Sequence, residues 1–177
     1  SLKYLLALLN SCLLNYIYRK AFKSTKTVFS EIQARSVKQL PVVPATQLSG
    51  KVLSCLADIM LQSCRNENGS AAQKCFFEDL IDACVMECYF RDHMAERDLL
   101  FLDELAPHLE NVEQTFLSAS RSEKNRQECL SHLYNTFNAP SSKIRNRLLR
   151  ITSDSPDLLA VIKEEACPIR DPHTTRH

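Results

Sequence analysis

A chain of 177 residues is long enough for one domain with a substantial core, and 45% hydrophobic with 24% charged residues is ordinary globular composition, which excludes wholesale disorder. Two glycines, Gly50 and Gly69, leave little material for hairpin turns or phosphate-cradling loops. A net charge of +1 supplies no global field to draw in nucleic acid or an acidic membrane.

Residues 2–22, LKYLLALLNSCLLNYIYRKAF, form an apolar run interrupted by Asn10, Ser11 and Asn15. The run is too short and too polar to span a bilayer, and no small-x-small cleavage site precedes Arg19-Lys20, so it predicts a buried first helix rather than a signal peptide. Residues 23–40 predict a shorter helix, with Ser24 or Thr25 as cap and Val28, Phe29, Ile32 and Val37 on its apolar face. Pro41 and Pro44 then force an extended linker, a seam over 41–47, because neither they nor the residues before them favour helix. Val52, Leu53, Leu56, Ile59 and Met60 resume helical spacing over 48–64, expected as the antiparallel partner of the first helix.

The clearest pattern is residues 75–94, where Phe76/Phe77, Leu80/Ile81, Cys84/Val85 and Cys88/Tyr89 recur as apolar doublets every four positions. A repeat of four exceeds the helical turn, so the apolar stripe winds round the helix and needs neighbours on more than one side. This helix is expected to be a central layer, with Glu78, Asp79, Asp82 and Glu87 on its solvated side. Downstream, Leu102, Leu105, Leu109, Val112 and Phe116 keep their phase across Pro107, which predicts a kinked helix or two nearly in line. Leu130, Leu133 and Phe137 mark the next helix, and Ile144, Leu148 and Ile151 another. Ser155-Pro156-Asp157 is a start signal for a last helix carrying Leu158, Leu159 and Ile162, and residues 167–177 are expected as an extended tail. The fold class expected is all-α without a sheet: seven to eight helices in antiparallel pairs, as an irregular bundle or a HEAT/armadillo-like stack, in one domain over 1–166.

Eight cysteines allow a disulfide framework, yet Cys12, Cys55, Cys84, Cys88 and Cys129 sit inside apolar helical patterns, where a thiol packs as a small hydrophobe. Reduced thiols point to an intracellular protein of cytoplasm or nucleus. The alternative is a secreted, cytokine-like factor with a Cys64–Cys75 bridge closing a polar loop that contains the Asn68-Gly69-Ser70 sequon. Cys84, Cys88 and His93 lack the spacing of a zinc site, His93 and His108 belong to no catalytic pattern, and no nucleotide, hydrolase or metalloprotease signature is present. Neither enzyme activity nor a cofactor is expected. Two basic clusters, at residues 19–26 and 143–150, carry no interleaved aromatics for base stacking, so nucleic acid is not the expected partner. The residues imply a non-catalytic helical scaffold, part of a larger protein, that binds another protein through Leu5, Leu6 and Tyr16, Lys143, Arg147 and Arg150, and Leu158 and Ile162.

Overall fold

The computed structural model describes residues 1–22, 34–65, 70–117 and 123–166; these are helical throughout their regular segments, with no strand among them. Among the described residues ten helices follow in order: α1 (Leu2–Asn10), α2 (Cys12–Phe22), α3 (Ala34–Val37), α4 (Gln47–Arg65), α5 (Ala71–Tyr89), α6 (Arg91–Ala95), α7 (Leu102–Leu117), α8 (Glu123–Phe137), α9 (Lys143–Arg150) and α10 (Leu159–Ala166). Of the expected second helix, only α3 falls within the described residues; positions 23–33, the Asn68-Gly69 pair and the tail 167–177 lie outside them.

The single opening helix expected from the sequence is two helices. Ser11 adopts extended backbone (φ −72°, ψ 152°). Its hydroxyl donates to the Leu8 carbonyl at 2.7 Å and accepts the Leu14 N–H at 3.3 Å. Asn10 and Asn15 side-chain amides donate to the carbonyls of Leu6 and Ser11. The polar residues interrupting the apolar run therefore satisfy the orphan groups of two helix ends.

Residues 41–46, around Pro41 and Pro44, form no helix and are clasped by tyrosines. Tyr89 Oη donates to the Pro41 carbonyl at 2.6 Å and accepts the Val43 N–H at 3.3 Å, while Tyr4 Oη donates to the Val43 carbonyl at 3.1 Å. Next, Thr46 and Ser49 form a reciprocal capping pair, each hydroxyl accepting the other's backbone N–H at 3.0 Å, and α4 begins.

α1 lies along α4, but not antiparallel to it. Ser1 meets Ser54, Lys3 reaches Asp58 at 2.7 Å, and Leu6 shares a groove with Met60 and Leu61, so the contacts advance in the same direction along both helices. The stretch before α4 is bonded to Tyr4 near the start of α1, so both helices set out from the same end and the pair is parallel.

α5 is the central layer, touching α1, α2, α4, α6 and α9. Every residue from Ile81 to Glu87 is buried, so its apolar stripe closes into a full circumference over two turns. Asp82 and Glu87, expected on the wet side, are 8% and 0% exposed. Glu87 answers a specific need: its carboxylate accepts the N–H groups of Phe101 and of Leu102, the latter at 2.9 Å, capping α7 from another helix, and Arg91 neutralises it at 2.9 Å. α7 runs unbroken through Pro107, which lies on its exposed side.

Candidate functional site

The α1–α2 break is held against α5 by one side chain. Asp82 Oδ1 accepts the backbone N–H of Cys12 at 2.8 Å, at the start of α2. Burial pushes the Asp82 carboxyl up to about 6, against the lowering effect of the Cys12 backbone and thiol hydrogen bonds and the Lys163 ammonium; Asp79 adds to the rise. Lys163 itself is bonded to Asp79 at 3.3 Å.

Cavities lie on both sides of this contact. The first, of about 520 Å³, opens between α1, α4 and α5, with Leu6, Ala57, Met60, Leu61 and Ile81 as its apolar walls and Asn10, Asn15, Glu78 and Asp82 as polar groups. The second, of about 380 Å³, is bordered by Asp79, Thr152, Ala160, Lys163 and Glu164. Cys12 and Asp82 line both.

The expected contact residues are scattered. Leu6, 37% exposed, is on the rim of the first cavity. Leu5, Tyr16 and Leu158 are half-buried, while Ile162, expected at a contact surface, is a core residue at 4% exposure because α10 packs it inward. The basic helix α9 is tied to its own domain. Arg147, its side chain 14% exposed, bonds Asp98 at 2.6 Å and the Leu100 carbonyl at 2.7 Å; Arg150 bonds Asp154 at 2.7 Å and the Arg97 carbonyl at 3.0 Å. Lys143 is exposed, 3.7 Å from Glu104. Arg19 and Lys20 engage Glu165 of α10.

The groove residues Met60, Leu61, Cys64 and Asp82 were not among the expected contacts. Asp82 alone left a trace in the sequence, as a carboxylate inside LIDACV, where both flanks are apolar. Elsewhere, burial, followed by the nearby Glu87, raises the thiols of Cys84 and Cys88, the latter to about 11. Both are therefore held protonated. No group of three metal-ligating side chains occurs among the described residues, and no helix there is long and apolar enough to cross a membrane.

Residues 1–42 match the family of TaqI-like C-terminal specificity domains. No curated protein and no solved structure matches the chain. The matched segment contains α1, α2 and α3 and ends inside the clasped seam. It is also the strongly basic part of the molecule, with Lys3, Arg19, Lys20, Lys23, Lys26, Arg35 and Lys38 against one acidic residue, Glu31. The rest of the chain carries fifteen Lys and Arg against twenty Asp and Glu, so the near-neutral total conceals a charge division. A match to a specificity domain stands in tension with the expectation that nucleic acid is not the partner.

Proposed function

We propose that this chain is a non-catalytic helical domain of a larger DNA-recognising protein, in which the basic segment 1–42 belongs to the specificity unit and α4 to α10 are its scaffold. The observation that carries this reading is the coincidence of the specificity-domain match, to a family of DNA-recognition domains, with the basic segment. Lys and Arg side chains supply the phosphate contacts that set affinity and register on a duplex, and Arg35 and Lys38 at α3 are exposed. Support for the scaffold role comes from the ties between the two parts: Lys3 to Asp58, Cys12 to Asp82, Tyr4 to the seam, and Arg19 and Lys20 to Glu165. The protein partner expected of a helical scaffold is then the specificity unit itself, within the same protein and inside the cell. Chemistry is not assigned to the domain, because its buried carboxylates cap helices and His93 is hydrogen-bonded to the buried Ser155.

The test is fluorescence anisotropy with a labelled mixed-sequence duplex across roughly 50–200 mM salt. Affinity should fall steeply with salt. The double charge reversal Arg35→Glu, Lys38→Glu should weaken binding and reduce the log–log salt slope by about 2. Absence of binding at low salt, or an unchanged slope in the double variant, refutes the proposal.

A further inference from the structure

We infer that the groove between α1, α4 and α5 is a binding site for a small hydrophobic amine, with its apolar body against Leu6, Met60, Leu61 and Ile81 and its cationic nitrogen on the Asp82 carboxylate. Its described lining contains none of the basic residues to which DNA contact is assigned.

The size and lining come first. A volume of about 520 Å³ falls in the roughly 300–1,000 Å³ typical of small-molecule sites, which are mainly apolar with a few convergent polar groups. Here the charged groups among the described residues are of one sign: Glu78 and Asp82 line the groove with the neutral Asn10 and Asn15, and no described Lys or Arg does. An anion is repelled there. A neutral apolar molecule fills the walls but brings no counter-charge to the buried carboxylate.

Asp82 is placed to take a cation. It forms no salt bridge among the described residues, and the neighbouring ammonium, Lys163, is bonded to Asp79 instead. A carboxylate has about four acceptor sites, and the Cys12 backbone and thiol occupy two. The groups facing it are Cys12 from α2, Asp79 and Glu78 from its own helix, and Lys163 from α10. Because burial holds its proton up to about 6, a bound cation must displace that proton at lower pH. Affinity should therefore fall about tenfold per pH unit below 6 and level off above it.

The chain supplies its own reporters. It has three methionines: Met60 in the groove wall, and Met86 and Met94, both fully buried elsewhere in the core. Carbon-13 methyl spectra should show n-hexylamine shifting Met60 saturably while Met86 and Met94 stay in place. The isosteric n-hexanol and the anionic n-hexanoate should bind at least about tenfold more weakly, as expected when a buried charge is left unpaired or opposed. Asp82→Asn, which keeps an acceptor for the Cys12 N–H, should abolish the preference for the amine. Should that variant fail to fold, the pH profile of the unmodified protein decides the matter alone. An equal response to hexanol and hexylamine, an amine affinity flat between pH 5 and 7, or no response at Met60 overturns the inference.

Discussion

A carboxylate placed among apolar side chains must keep its proton or find donors and a counter-charge, and α5 shows both solutions within two turns. Glu87 has two backbone donors and Arg91. Asp82 has Cys12 and, among the described residues, no ion pair, Lys163 acting on it only from beside Asp79, and its carboxyl is raised from 3.8 to about 6. A folded-state value above the unfolded one means that the folded state binds more protons between those limits. The stabilisation from neutral Asp82 is complete below the unfolded value and is lost as pH rises through about 6. Urea denaturation of the protein and of Asp82→Asn at pH 4.5 and 7.5 isolates this, since the other carboxylates cancel in the comparison. The native protein should lose about 2 kcal/mol relative to the variant on going from the lower to the higher pH. A gap independent of pH would mean that Asp82 is ionised throughout.

At the scale of elements, the ends of helices decide the layout. Ser11 ends α1 and starts α2 within one residue, and the Thr46–Ser49 pair starts α4 where the prolines stop forbidding helix. Between them the seam is positioned by Tyr89 and Tyr4, side chains from the central and first helices. The phenol of Tyr4 is raised to about 12, chiefly by burial, so it remains a donor across the neutral range. Tyr89→Phe removes an acceptor from Val43 N–H and a donor from the Pro41 carbonyl. The expected result is a global loss of about 1–2 kcal/mol with faster amide exchange at Val43 and undisturbed protection in α4. Equal loss of protection in seam and α4 would show that the clasp and the helix unfold as one unit.

For the whole molecule, the cysteines report how the core is enclosed. Cys12, Cys55 and Cys84 are buried, while Cys64 and Cys75 are exposed and unbridged at the facing ends of α4 and α5. Alkylation of the native protein followed by mass spectrometry should label Cys64 and Cys75 rapidly, and Cys12, Cys55 and Cys84 only after unfolding. Under denaturing, non-reducing conditions all five should react. Protection of Cys64 and Cys75 there would instead indicate the bridge of a secreted protein. The charge division is a second property of the whole: the +1 total hides a basic first segment and an acidic remainder.

What the sequence determined by itself was local. Helical spacing, two glycines and the proline pair sufficed for an all-helical fold among the described residues, for a helix-free stretch at the prolines and for α5 as a central layer, because periodicity and backbone sterics act over a few residues. The parallel course of α1 and α4, the burial of Asp82 and Glu87, and the anchoring of Arg147 on Asp98 and Leu100 were not legible. Each depends on a partner distant in sequence: Asp82 is buried because the α2 start, seventy positions away, needs an acceptor, and Glu87 because α7 needs a cap. The groove has the same origin. Leu6, Met60, Leu61 and Asp82 belong to three helices with unremarkable patterns, and only the packing of α1 and α4 against α5 brings them to one place.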